Sequence, residues 1–327
     1  MSDPIYNYLS TAYFHPAYIP GYYPIWYLFK DSTYSEIDKF FSTLEIKDKK
    51  RKEFRDYKKA KLIAFMNGIT NAKVLEKLTI DQRRKLANEI FNTSIKIDYM
   101  LPKYAFSSFN KSMFNSLFIL KNYNLLDNLI NQKKGVVLIS HHWCAFQFSM
   151  IYFLVNNLPI TFLISDEVVH NLTDIYDFSK YPNAEVIGLS SQKGKKSDYA
   201  LYKSIKELKQ GRIIFILCDN PVTPKNITKK TTFMGSSVYI SRGGVGLAKI
   251  AKVPILHLVS YINSKTEKTT LAFGELITFK KILNNKTEDL VSVSNKYMEK
   301  ELLKRLDHWI YADWFYKYML VKDKNEK

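Results

Sequence analysis

The sequence predicts an α/β protein in which a mixed, largely parallel sheet is flanked by helices and preceded by a helical N-terminal region. Three observations predict this fold class. From residue 133 onwards, short apolar runs rich in β-branched residues alternate with segments of helical character, an order typical of parallel sheets. From about residue 33 to 131 the pattern is helical and lacks strong breakers. The chain also has only 11 glycines, which is few for an all-β protein full of tight turns.

Residues 1–30 are expected to form an aromatic arm rich in proline and tyrosine. Residues 4–29 lack formal charge, and this stretch is long enough to invite a membrane-span interpretation. Pro16, Pro20 and Pro24 argue against a span, because each removes a backbone donor where hydrocarbon offers no replacement. The chain start has neither the basic region nor the cleavage site of a signal peptide. We therefore expect the arm to lie on the protein's own core or on a membrane surface.

Residues 31–132 are predicted to form the helical N-terminal region. The clearest amphipathic helix runs from residue 79 to about 100, because its apolar residues fall at four- and seven-residue steps on one stripe. Asp81 near its beginning and Pro102 just beyond its end are the expected start and stop signals.

Residues 133–327 are predicted to form the α/β core. Strands are expected at the apolar runs 136–139, 160–164, 185–189, 213–218 and 254–261. Helices are expected between them, at 146–156, 198–210 and 242–252. In such sheets the chemistry lies where the carboxyl ends of the strands open into loops. The segments 140–147 and 219–235 are therefore predicted to lie at the favoured edge.

Charge and cysteine content limit the function classes. Lys and Arg number 49 against 31 Asp and Glu, a net charge of +18, which indicates anionic partners such as nucleic acid, an acidic membrane face or an acidic protein. A nucleic-acid reader is not favoured, because zinc-finger spacing, an RNP-like motif and a basic region joined to heptads are all missing. Two cysteines cannot form a disulfide framework, so a reduced, cytoplasmic protein is expected. The sequence has no cluster with metal-ligand spacing, and no metal is predicted.

The first core strand runs directly into the segment SHHWCAFQ, residues 140–147, which holds two of the chain's six histidines. A histidine at the exit of a buried strand suits acid–base chemistry near neutral pH. His142 is the candidate base and His141 a further candidate; the alternative is a histidine pair with a structural role only. Cys144 could act as a nucleophile, although a lone cysteine at an apolar helix start is more often a core residue.

The segment GVVLISHHWCAFQ, residues 135–147, resembles the strand and His-x4-acid block of the bacterial lipid A biosynthesis acyltransferases, part of the lysophospholipid acyltransferase-like superfamily. Further blocks follow in that family's order, and the resemblance covers roughly residues 60–320. These blocks are Ile205–Gly211, the strand that ends on Asp219, Phe233-Met234-Gly235, Leu247–Lys249, Val253–Ile255 and His308–Trp314. The resemblance implies an acyltransferase with His142 as the base and position 147 as its acidic partner.

The chain departs from the family's pattern at the acid, because Gln147 brings no charge to His142. Three explanations stay open. The first is that the acceptor is an amine or a thiol, which needs less assistance from a general base than a sugar hydroxyl. Another acid supplies the charge in space, with Asp166, Glu167 and Asp219 as the candidates. Or the site is catalytically degenerate.

Substrate-binding candidates lie in basic and glycine-bearing segments. The family's second block normally carries an arginine, which the matching residues 161–166 lack, and this argues against a phosphorylated sugar acceptor. Nearby lysine and arginine side chains could take the place of this missing arginine. Free backbone N–H groups at a glycine-rich helix start could also bind an anion. Alternatively, the basic segments are solvated loops, and the glycines allow their helix to pack closely on the sheet. The predicted substrate-binding residues are Lys193, Lys195, Phe233, Gly235 and Arg242.

Together these observations predict an acyltransferase that is cytoplasmic, or peripheral on the inner membrane face. It would move an acyl group from an acyl carrier protein or coenzyme A thioester to an amine, hydroxyl or thiol acceptor in specialised lipid or natural-product biosynthesis. No cofactor is expected beyond the thioester co-substrate. The expected partners are that carrier protein or coenzyme A thioester and an anionic membrane surface. The alternative function is a catalytically degenerate protein that binds acyl chains or a carrier protein on the same scaffold.

Overall fold

The computed structural model describes residues 49–106, 111–142, 145–166, 169, 178–189, 195–219, 228–263, 266 and 268–315. The predicted arm lies outside these residues, so its placement stays a prediction. Within these ranges, no helix is both long enough and apolar enough to cross a membrane.

The N-terminal helical region is confirmed. Helix α1 spans Lys49–Asn71 and helix α2 spans Ile80–Phe106, with a short 3-10 turn between them. Asp81 lies in the first turn of α2, as predicted. The expectation that α2 ends before Pro102 is wrong, because the helix continues to Phe106. A proline removes one backbone donor, and a helix of this length retains its other hydrogen bonds.

The remaining elements alternate strands with helices. The strands are β1 (Phe118–Lys121), β2 (Val136–Ser140), β3 (Ile160–Ser165), β4 (Ala184–Leu189), β5 (Ile213–Leu217), β6 (Thr228–Phe233), β7 (Ser236–Ser241), β8 (Ile255–Ile262) and β9 (Thr269–Ile277). The helices are α3 (Lys111–Ser116), α4 (Asn124–Asn131), α5 (Phe146–Val155), α6 (Lys195–Lys209), α7 (Gly243–Ala251), α8 (Phe279–Leu283), α9 (Thr287–Leu303) and α10 (Ala312–Trp314).

Seven of the strands in the described chain form one sheet, in the order β1-β9-β8-β2-β5-β3-β4. The five strands from β8 to β4 are parallel, whereas β9 runs antiparallel to β8 and β1 pairs in parallel with β9. This is the mixed, largely parallel sheet that the sequence predicts. Strand β1 was not anticipated, and it lies inside the segment predicted to be helical. Strands β6 and β7 form a separate antiparallel hairpin.

The core is divided by the sheet into two apolar layers. Strand β2 is buried along its whole length, with Val137 and Ile139 in one layer and Val136 and Leu138 in the other. Helices α6, α7 and α9 contribute to the first layer, and helices α4 and α5 contribute to the second. Burial on both faces explains why β2 appears in the sequence as a continuous apolar run.

Candidate active site

The candidate base and a carboxylate are brought together by the register of two neighbouring strands. Ser140, the last residue of β2, pairs with Leu217, the last residue of β5. In parallel strands, two residues that follow a paired position by the same number of residues lie next to each other. His142 and Asp219 each lie two residues beyond this pair. Both residues therefore lie at the carboxyl edge of the sheet, where the sequence predicts the site.

A hydrogen bond joins these two side chains, with His142 Nδ1 at 2.8 Å from Asp219 Oδ1. The backbone N–H of His142 also donates to both carboxylate oxygens, at 2.9 and 2.8 Å. The two side chains are only 15% and 9% exposed. When Nδ1 carries its proton and donates to the carboxylate, Nε2 is the nitrogen that can accept a proton from a substrate.

Opposing effects act on the carboxyl group of Asp219. Burial raises its pKa, but the charges that His142 and His141 carry when protonated, together with the hydrogen bonds from His142, lower it by more. The net pKa lies below the ordinary value for aspartate. Asp219 is therefore ionised at neutral pH and can stabilise an imidazolium that forms on His142.

His141 lies in the core beside this pair. It is 1% exposed, and its ring packs against that of Phe233 with 6.0 Å between centroids. Burial lowers the pKa of His141 to about 4, and the smaller attraction of Asp219 does not compensate. The ring is therefore neutral near pH 7.

Gln147 lies in the first turn of α5 and does not replace the missing acid. Its Oε1 is buried and has no hydrogen-bond partner among the described residues. Asp219, one of the three acids considered from the sequence, supplies the carboxylate instead. Asp166 packs against β4, where its Oδ1 lies 1.9 Å from the place that a Cβ on Gly188 would take. Glu167 lies outside the described residues.

Two aromatic rings flank the imidazole of His142. The ring centroid of Phe146 lies 5.1 Å away at an interplanar angle of 75°, and that of Tyr311 lies 5.5 Å away at 64°. Tyr311 belongs to residues 305–315, the segment after α9, which we call the C-terminal strap. The aromatic block at 308–314 is visible in the sequence, but this contact is not, because an aromatic pattern does not show which side chain reaches a distant strand end.

The Phe-Met-Gly block forms the turn of the β6–β7 hairpin. Met234 and Gly235 have positive φ angles of 52° and 74°, as in a type I′ turn. The N–H of Met234 donates to Glu299 Oε2 at 2.6 Å, and its carbonyl accepts from the N–H of Val74 at 3.2 Å. Phe233, just before the turn, is 2% exposed. The turn is thus packed between the N-terminal helical region and α9.

The other predicted site residues are spread over the chain. Cys144 and Lys193 lie outside the described residues, and the backbone alone of Lys195 is described, at the start of α6. Arg242 is exposed and directly precedes α7. Burial raises the pKa of the free Cys218 thiol to about 12, which leaves it protonated at neutral pH. Among the residues that the structure describes, no group of three or more His, Cys, Asp or Glu side chains could hold a metal ion.

The glycines that open α7 differ in their surroundings. A Cβ on Gly244 would lie 2.9 Å from Cys218 Sγ and 3.2 Å from Ile139 Cδ1. A Cβ on Gly246 would meet no atom within 4 Å. Gly244 therefore allows α7 to pack closely on β2 and β5, one of the two interpretations that the sequence left open.

Comparisons with solved structures find distant likeness, and the family and curated-protein comparisons find none. No protein-family model matches the sequence, and the search among curated proteins found no significant match. The structure is similar to the crystal structure of the 1-acyl-sn-glycerophosphate (LPA) acyltransferase PlsC from Thermotoga maritima, with 14% sequence identity and a TM-score of 0.38. The likeness covers 76% of this chain and 96% of that one. At this identity and TM-score it carries no argument about the activity of this chain.

Proposed function

We propose that the protein is an acyltransferase in which His142 acts as the general base and Asp219 as its carboxylate partner. The observation that carries the proposal is the 2.8 Å hydrogen bond between His142 Nδ1 and Asp219 Oδ1 at the carboxyl edge of the parallel sheet. A carboxylate on one ring nitrogen leaves the other nitrogen basic, as acyl transfer to an N–H, O–H or S–H group requires.

In the proposed reaction, His142 Nε2 removes the proton from the acceptor while the acceptor atom attacks the carbonyl carbon of a thioester. A bond forms between acceptor and acyl carbon, and the carbonyl electrons move onto oxygen. When the tetrahedral intermediate collapses, the carbon–sulfur bond breaks and the thiolate takes the proton from the imidazolium. The ionised Asp219 stabilises the imidazolium between these two steps, so His142 is restored at the end of the cycle.

The acyl donor in this proposal is a thioester of an acyl carrier protein or of coenzyme A. The acceptor is an amine, a hydroxyl or a thiol. The net charge of +18 suits both an acidic carrier protein and an anionic membrane surface. The motif resemblance to the lipid A biosynthesis acyltransferases supports the reaction class, whereas the missing arginine in residues 161–166 favours an acceptor other than a phosphorylated sugar.

The rival function is a degenerate protein that binds acyl chains or a carrier protein. Gln147 in place of an acid was the main sequence feature in favour of it. Asp219 Oδ1 is hydrogen-bonded to His142 Nδ1. A neutral residue at position 147 therefore does not imply that the proposed base lacks a carboxylate partner. This geometry favours the enzyme over the rival.

The test compares thiol release from acyl-coenzyme A and from an acylated carrier protein, with amine and hydroxyl acceptors, for the wild type, His142→Ala and Asp219→Asn. We expect His142→Ala to lose transfer. Asp219→Asn should lose about 10³- to 10⁴-fold in kcat, because an amide holds the wrong tautomer of the base. Asp198→Asn is the matched control, because Asp198 is an exposed acid on α6.

Circular dichroism and thermal unfolding check that each variant is folded. Full thiol release by folded His142→Ala would contradict the role of the base. Binding of an acylated carrier by the wild type, without thiol release from either donor, would support the rival function.

A further inference from the structure

One end of the C-terminal strap is held at the end of a central strand. His308 Nε2 lies 3.2 Å from both the backbone nitrogen and the backbone oxygen of Ile262, the last residue of β8. His308 is 6% exposed, so this contact is buried. Strand β8 neighbours β2, and its carboxyl end lies at the same edge as His142. The strap therefore starts one strand away from the candidate base.

The other end of the strap is held by helix α1. Lys61 Nζ lies 3.2 Å from Asp313 Oδ2, and the Asp313 side chain is only 6% exposed. The carbonyl of Ala312 lies so close to Gly68 that a Cβ there would be 2.1 Å from its oxygen. Phe315, the last described residue, packs with its ring 6.2 Å from that of Phe233. An ion pair, a close backbone approach and a ring contact thus hold this end.

Between these two ends, Tyr311 is set against the ring of His142. We infer that Tyr311 is a positioning residue for His142, an inference that rests on the proposed role of His142 as base. The hydrogen bond at Nδ1 holds one edge of the imidazole, and the rings of Phe146 and Tyr311 contact it at centroid distances of 5.1 and 5.5 Å. Aromatic edge contacts of this kind favour one relative orientation of the rings.

The positioning role belongs to the ring of Tyr311, because the ring is the part that contacts the imidazole of His142. Without the ring, the imidazole of His142 can adopt orientations in which it does not reach an acceptor. A displacement of about 1 Å in a reacting group is enough to lower a rate by about 10²-fold. Tyr311→Leu should therefore lower kcat by about 10- to 100-fold with a small change in KM, whereas Tyr311→Phe should keep kcat within about threefold of wild type.

The experiment applies two readouts to Tyr311→Leu, Tyr311→Phe and a control variant, Tyr199→Leu. Tyr199 is a control because it lies on α6 and is 63% exposed. The first is the steady-state rate of thiol release from decanoyl-coenzyme A. The second is the nuclear magnetic resonance spectrum of protein labelled with ¹⁵N and ¹³C in histidine, which reports the tautomer and line width of each imidazole. In Tyr311→Leu we expect the His142 signals to show a mixture of tautomers or exchange broadening, while those of His257 stay unchanged. Tyr311→Phe and Tyr199→Leu should show the wild-type spectrum.

A wild-type His142 spectrum in folded Tyr311→Leu would overturn the inference, and so would equal rate losses in Tyr311→Leu and Tyr311→Phe. The spectrum needs no turnover, so it decides the question even if the wild type transfers no acyl group, an outcome that would count against the proposed function alone. If Tyr311→Leu does not fold, Gly68→Ala provides the second variant, because its Cβ displaces the strap at Ala312. The same change in the His142 signals is then expected, with Gly246→Ala as the control, and unchanged signals in Gly68→Ala would equally overturn the inference.

Discussion

Position 147 lies five residues after His142, yet the carboxylate on His142 Nδ1 comes from Asp219, on the neighbouring strand. A carboxylate in this place makes the residue at 147 dispensable as a source of charge. The buried Oε1 of Gln147 has no hydrogen-bond partner among the described residues, so nothing described there would stabilise a negative charge.

We therefore predict that Gln147→Glu changes the transfer rate by less than about tenfold with either amine or hydroxyl acceptors. It should lower the free energy of unfolding by about 1–3 kcal/mol near pH 7, because a buried carboxylate oxygen would lack a donor. Parallel rate assays and urea unfolding measure both effects. Gln210→Glu, at an exposed position after α6, is the control. A large gain confined to hydroxyl acceptors would instead indicate a decayed site that the acid restores.

The close contact of the β6–β7 turn with the N-terminal helical region depends on Gly235. Its φ of +74° is strained for any residue with a Cβ, and a Cβ there would lie 2.9 Å from Lys73 Cβ and 3.0 Å from the nitrogen of Val74. The turn must lie this close for Met234 to bond both Val74 and Glu299.

Gly235→Ala should therefore lower the free energy of unfolding by about 1–2 kcal/mol from backbone strain, with more lost if the hairpin shifts. Gly246→Ala is the matched control within α7, because its Cβ enters open space. It should raise stability by up to about 1 kcal/mol through helix propensity. Urea unfolding of both variants gives the comparison. Equal stability of the two variants would show that the turn does not constrain the fold.

The buried parallel strands could be predicted from the sequence because burial on both faces leaves a continuous apolar run. Strands β2, β3 and β5 lie within a residue or so of their predicted positions. Strand β9 could not be predicted, because Gly274 and Glu275 interrupt its run. The structure gives the reason for the glycine: a Cβ on Gly274 would lie 1.5 Å from the hydroxyl of Tyr297.

The candidate site was predictable to a similar extent. His142 and the sheet edge follow from the motif and from the alternation of strands and helices. Asp219 could be named only as one acid among three, because the choice depends on the register between β2 and β5. That register is a pairing between segments far apart in sequence, and local patterns do not encode it. Tyr311 was missed for the same reason.

Buried neutral histidines make the fold as a whole sensitive to acid. Burial lowers the pKa of His141 to about 4 and also lowers that of His257. The unfolded chain takes up these protons as the pH falls through about 6.5, whereas the native chain does not. The free energy of unfolding therefore decreases as the pH falls. The stability that comes from the lowered pKa of Asp219 is present above about pH 4 and is lost at lower pH.

We predict that the free energy of unfolding falls by on the order of 3 kcal/mol between pH 6.5 and pH 4 through His141 alone. Urea unfolding at pH 8, 6.5, 5 and 4 measures this dependence. His141→Asn should reduce the slope between pH 6.5 and 5, whatever its effect on stability at pH 8. Asp198→Asn should leave that slope unchanged. A slope that is the same in His141→Asn and the wild type would contradict the prediction.

The ion pair between Lys61 and Asp313 joins residues 252 positions apart in the chain. A ribosome adds about 5–20 residues per second, so α1 emerges many seconds before its partner exists. During that time the surface of α1 around Gly68 has no Ala312 to contact, and His142 has no Tyr311 beside it. The sheet is also completed late, because among the described strands β1 pairs only with β9 and β2 pairs only with β5 and β8. The surroundings of His142 cannot be completed before Tyr311 has been synthesised. A nascent chain stalled before the strap would therefore hold the His142–Asp219 pair and the ring of Phe146, but not the ring of Tyr311.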